Sequence, residues 1–150
     1  MDDDRAAIAE LVRTFFAAFT SGGSLDELRA VLLPGAVIVR TCGGEPAVHD
    51  VDGFIAPRRE LLTGGRLTGF REWPLDGHTE IFGDIAHHFG GYAKEGVLDG
   101  EPFTGRGMKT MQFVRTAAGW RISAVAWDDE RPGSPARRST PTPTRAVSRG

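Results

Sequence analysis

One cysteine, one tyrosine and four histidines are all the thiol, phenol and imidazole side chains in 150 residues. The lone Cys42 rules out an internal disulfide, which fits a reducing compartment, and a cytoplasmic location is expected. Cys42 follows the apolar run Ala36–Val39 and precedes Gly43–Gly44, and reads as a small residue at a strand end. The opening MDDDRAAIAE is acidic and lacks the apolar stretch of a signal peptide. No apolar run approaches the roughly 18 residues of a membrane span. There is no nucleophile elbow, P-loop or dinucleotide fingerprint, and Gly105-Arg-Gly107 is a fragment without diagnostic value. His49 and His78 are expected on turns, and no H-x-H or H-E-x-x-H spacing joins them with His87 and His88, so neither a metal nor another cofactor is expected. A net charge of −2 leaves no field drawing the chain to nucleic acid or anionic lipid.

What is present describes one ordinary folded domain. Hydrophobic residues make up 40% and charged residues 25%, enough to build a core at this length. Twenty glycines point to turns and bent strands. Asp2, Asp3 and Asp4 place negative charge and cap candidates before a helix whose Ile8, Leu11, Val12, Phe15 and Phe19 fall on one face, widened by Phe16. Gly22–Gly23 ends it. Ser24-Leu-Asp-Glu27 has capping-box spacing and starts a short helix that Pro34–Gly35 stops. A strand is expected over 36–41 and a turn over 43–46. Asp50 or Asp52 caps a third helix to Gly64–Gly65, in which Pro57 either kinks the helix or marks its regular start.

From Arg66 onward the pattern is an antiparallel meander with strands near 66–73, 76–82, 85–97, 102–116 and 119–129. The first two are also readable as one bent strand across Pro74–Gly77. Asp99–Gly100 is a strong hairpin signal. The last two strands join at Ala117–Gly119 and form the ribbon that the rest of the chain wraps. Residues 132–150 are rich in Pro, Ser, Thr and Arg, carry no acid, and are expected to be a disordered, solvated tail. A weak contact with nucleic acid or an acidic partner is the alternative for this tail.

Arg115-Thr-Ala-Ala-Gly-Trp-Arg-Ile122 and the helical pattern Ile8 to Phe19 resemble the nuclear transport factor 2-like superfamily, and its SnoaL-like bacterial proteins in particular. Phe54-Ile-Ala-Pro-Arg58, Thr79-Glu-Ile-Phe-Gly83, Lys109 with Gln112-Phe113, and Trp127-Asp-Asp-Glu-Arg131 carry the same resemblance. It covers about residues 4–131. It implies an α+β, cone-shaped fold, with three N-terminal helices packed on a strongly curved mixed or antiparallel sheet around a ligand-sized pocket. It also implies a homodimer through the outer sheet face.

Candidate chemistry is sparse. His88 and Tyr92 share a strand face four residues apart, since side chains alternate with period two. With Asp128 they are the candidate acid–base set: His88 or Asp128 as base, Tyr92 as donor. Adjacent His87 and His88 ensure that one faces inward. Lys109 and Gln112 have opposite parity, so one of them points inward; an inward Gln orients a ligand, while an inward Lys needs an acid partner. If Trp120 and Ile122 face inward, uniform alternation sends Asp128 inward and Trp127 outward; a bulge reverses this. Arg58, Trp73, His87, Gln112 and Trp127 complete the candidate ligand-binding residues, each with an ordinary core or surface role as its alternative. Three functions follow. The chain is a small-molecule-binding protein with an apolar interior pocket and a small apolar or aromatic ligand. Alternatively it is an acid–base enzyme of the cyclase, isomerase or dehydratase kind, or a dimerising module.

Overall fold

The computed structural model describes residues 2–131; the tail expected over 132–150 lies outside the described residues. Helix α1 (Asp2–Ala18) buries Ile8, Leu11, Val12, Phe15 and Phe16 along the face its spacing predicts. Phe15 meets Phe16 and Phe19 edge-on, and Phe19 meets Phe54 the same way, so the helices share one aromatic core. Helix α2 (Leu25–Val31) starts at Ser24, whose side chain accepts from the Glu27 backbone N–H. Helix α3 (Val51–Thr63) starts at Asp50, whose carboxylate accepts from Gly53 N–H at 2.7 Å. Of the two cap candidates for this helix, Asp50 is therefore the cap.

The strands are β1 (Leu32–Arg40), β2 (Ala47–His49), β3 (Leu67–Phe82), β4 (Ile85–Leu98), β5 (Glu101–Thr116) and β6 (Gly119–Asp129). They form one mixed sheet in the order β2-β1-β6-β5-β4-β3, in which only the β1–β6 pairing is parallel. The helices cover its concave face. The fold class is α+β, as expected.

Two local expectations differ from what the chain does, and one open alternative is decided. The second helix ends at Val31, before Pro34–Gly35, because Leu32 already pairs with Ile122. Pro34 and Gly35 instead lie where β1 leaves its register, between Leu32 and Val37, so the N–H that proline lacks is not needed by the ladder. His49 and His78, expected on turns, lie in β2 and β3. The segments 66–73 and 76–82 are one strand, bent by a register shift between Pro74 and Gly77. At the β4–β5 hairpin Asp99 and Gly100 take φ of 51° and 86°, the left-handed pair a two-residue turn requires.

Candidate functional site

The inner face of the sheet is set by register. Gly90, Lys109 and Trp127 are consecutive partners across β4, β5 and β6; Tyr92, Gly107 and Asp129 form the next row. These rows floor a cavity of about 350 Å³. Phe19, Phe54, Phe70, Phe103 and Trp127 give it aromatic walls, with Leu61 and Leu62 from α3. Its polar lining is Arg40, Arg58, Glu72, Lys94 and Lys109.

Lys109 is the buried charge of the floor, with 4% of its side chain exposed. Its Nζ lies 4.4 to 5.2 Å from the ring centres of Phe15, Phe16, Tyr92 and Trp127. Glu72, 10% exposed, accepts from it at 3.2 Å. Burial pushes the Lys109 ammonium below its usual range, and the Glu72 charge opposes that shift. Beside it, Lys94 Nζ donates to both Asp129 oxygens at 3.1 Å, and the Tyr92 hydroxyl donates to Asp129 Oδ1. Burial alone would raise the Asp129 carboxyl, but the Tyr92 hydroxyl and Lys94 hold it below the usual carboxylate range. Burial first, and then Asp129, pushes the Tyr92 phenol well above its ordinary value. Gly107 makes this contact attainable: a Cβ there would collide with Tyr92 Oη and the Asp128 carbonyl.

Arg58 reaches in from α3. Its guanidinium lies 4.0 Å from the Phe54 ring centre and 5.9 Å from that of Trp127. Burial, reinforced by the charge of Arg40 and opposed by Glu72, brings its pKa down to about 10.

Of the eight residues singled out in the sequence, Arg58 and Trp127 line this cavity. The other six lie elsewhere. Tyr92 is fully buried beneath the floor, hydrogen-bonded to Asp129. His88 is on the inner face but packs away from the cavity, with Thr79 Oγ1 at 2.7 Å from its Nδ1. Its imidazole fills the space left by Gly77 and Gly90, and burial pushes its pKa down. Asp128 pairs with Arg131 at the surface. His87 and Gln112 are partners on the outer face, where His87 meets Glu80 at 3.0 Å. Trp73 is on the outer face under Arg71. His88, Tyr92 and Asp128 are thus not brought together.

Trp127 faces inward and Asp128 does not because β6 carries a bulge. Gln112 pairs with Ala124 and Phe113 with Ile122, so Ser123 is an extra residue that inverts the alternation after it. Lys109, Glu72, Lys94, Asp129 and Arg40 were missed as site residues. The only sequence signal was the demand of an inward Lys109 for an acid.

The fold is that of the nuclear transport factor 2-like proteins, also described as cystatin-like. Among solved structures the chain is similar to the Kfla4162 protein of Kribbella flavida, with 23% identity over 87% of this chain and 93% of that one, and a TM-score of 0.74. It is also similar to hexachlorocyclohexane dehydrochlorinase LinA-type3 of Novosphingobium barchaimii LL02, with 16% identity over 95% of this chain and 100% of that one, and a TM-score of 0.73. An NTF2-like protein with a cystatin-like fold from Novosphingobium aromaticivorans aligns at 18% identity over 84% and 81% of the two chains, with a TM-score of 0.67. No family model and no curated protein matches the sequence. At these identities the likeness is one of fold, and this fold includes enzymes.

Proposed function

We propose that the protein binds a small, largely apolar or aromatic molecule in the cavity between α3 and the inner face of the sheet. The observation that carries this reading is an aromatic-walled space of about 350 Å³ with a few convergent polar groups. That is the size and character of a small-molecule pocket rather than a packing defect. The test is a titration with a neutral, environment-sensitive probe such as N-phenylnaphthylamine. Saturable binding is expected in the wild type. Leu62→Trp, which puts an indole into the lining, should abolish it while leaving the fold intact by circular dichroism. A wild type that does not bind sinks the reading.

A second reading, an acid–base enzyme, is supported by Lys109 and Glu72, a buried ion pair that lines the cavity. The roles of His88, Tyr92 and Asp128 stay proposals within it. A turnover screen with ketones and enones decides it, and a wild type inert towards the whole panel removes it. The outer sheet face supports a homodimer: the row Phe89–Thr110–Ala126–Val39 presents small or apolar groups, and beside it Ala124 and Val37 continue them next to the polar pair His87–Gln112. Phe89 is 50% exposed at the end of the first of these rows.

A further inference from the structure

We infer that the cavity takes an organic carboxylate, its anionic end seated between Arg40 and Arg58 and its apolar body lying along Trp127, Phe54 and Phe70. This deepens the proposed ligand-binding reading and rests on it.

The inference starts from a charge imbalance. Four cations line the cavity, Arg40, Arg58, Lys94 and Lys109, against one acid, Glu72. Both lysines are neutralised, Lys109 by Glu72 and Lys94 by Asp129. The arginines are not. Arg58 donates only to the neutral carbonyl of Phe54, at 3.2 Å. Among the described residues no carboxylate lies within ion-pair distance of Arg58 or Arg40. Elsewhere the chain pairs its arginines readily, as Arg29 with Asp52, Arg59 with Asp26 and Arg66 with Asp99. Arg5, Arg106 and Arg121 also make no ion pair among the described residues, but Arg40 and Arg58 are the two such arginines that line the cavity.

Their placement flanks one ring. Arg40 is the register partner of Trp127 on the adjoining strand, and it shares the inner parity of the buried Ala36 and Ile38. Arg58 comes from α3 and lies over Phe54, which itself meets Trp127 edge-on. Arg40 and Arg58 act on one another as like charges, and Arg58 is partly withdrawn from water. An anion between them relieves that repulsion. A carboxylate offers two oxygens to the planar donor forks of the guanidiniums, a match a single ammonium cannot make. The aromatic side chains along the rest of the lining have no use for a wholly polar anion, so the carboxylate belongs on an apolar body. The cavity volume, near the lower end for ligand pockets, suits a body of one or two rings.

The experiment is calorimetric titration of the full chain with naphthoate and with its uncharged isostere naphthamide. The wild type should bind naphthoate about tenfold more tightly, as expected when charge-assisted hydrogen bonds replace neutral ones, and the preference should shrink at high salt. Arg58→Met and Arg40→Gln should each shrink the naphthoate-over-naphthamide affinity ratio by about threefold to tenfold, whatever small change they make to both affinities together. Arg40 is exposed, so Arg40→Gln keeps the test valid if Arg58→Met fails to fold. Equal affinities for the two probes in the wild type overturn the carboxylate inference and leave the apolar pocket standing. So does a preference that survives the double variant. Failure of both probes to bind the wild type overturns the carboxylate inference together with the pocket reading.

Discussion

An ammonium placed among four aromatic rings would be costly to bury without the carboxylate of Glu72 beside it. Lys109→Met leaves Glu72 as a lone buried acid, and Glu72→Gln leaves the lysine alone. Each is expected to lose about 3–5 kcal/mol of stability, while the double variant returns to within about 1 kcal/mol of the wild type or exceeds it. Chemical denaturation of the four proteins checks this. The pH dependence has a definite sign. The folded-state pKa of Lys109 lies below its unfolded value of 10.5. Between those values the unfolded chain binds more protons, so wild-type stability should rise with pH through that window. The window closes near the pKa of tyrosine, because the raised pKa of Tyr92 acts in the opposite sense above about 10. The double variant should lack the rise. Opposite parity of Lys109 and Gln112 was legible in the chain, as was the need of an inward lysine for an acid. Which acid was not, because Glu72 reaches Lys109 across the intervening strand β4, 37 residues away in sequence.

At the level of the element, one residue decides which side chains of β6 see the cavity. Ser123 is the extra residue of a bulge, and beyond it Val125, Trp127 and Asp129 face inward. Deleting Ser123 removes the unopposed residue and leaves Phe113–Ile122 and Gln112–Ala124 as consecutive pairs, so Val125, Trp127 and Asp129 are expected to stay inward. The deletion variant should therefore still unfold cooperatively on heating and bind the neutral probe, and Ser123→Ala should lie within about 0.5 kcal/mol of the wild type. A deletion variant that loses cooperative unfolding would show that the bend the bulge gives the strand is itself required. Strand positions and the Asp99–Gly100 turn were readable because hydrophobic alternation and turn chemistry are local. The bulge was not, since nothing in the run Trp120–Trp127 marks where the extra residue goes. The same inversion explains why Asp128 is paired at the surface with Arg131 and the inward acid is Asp129.

For the whole molecule, the outer face of the sheet is the surface left uncovered by the helices. Homodimerisation through it would bury Phe89 and Val37, both substantially exposed. Phe89→Glu is expected to convert a dimer to a monomer in sedimentation equilibrium, with little effect on neutral-probe binding in the cavity on the opposite face. A wild type that sediments as a monomer at high concentration removes the dimer. The three-helix and long-meander layout was readable as a unit because each element carries its own periodic signal. The sequence order of the strands does not disclose that β1 pairs in parallel with β6, which sets Arg40 beside Trp127.

The sequence by itself determined the helices, the bent meander and the α+β class, because caps, turns and apolar periodicity act over a few residues. The tertiary structure alone decided which charges meet. A bulge at Ser123 chose between Asp128 and Asp129, a cross-strand reach joined Glu72 to Lys109, and strand order brought Arg40 to the same wall as Arg58. Each depends on side chains far apart in the chain being placed within ångströms of one another, which no local pattern encodes.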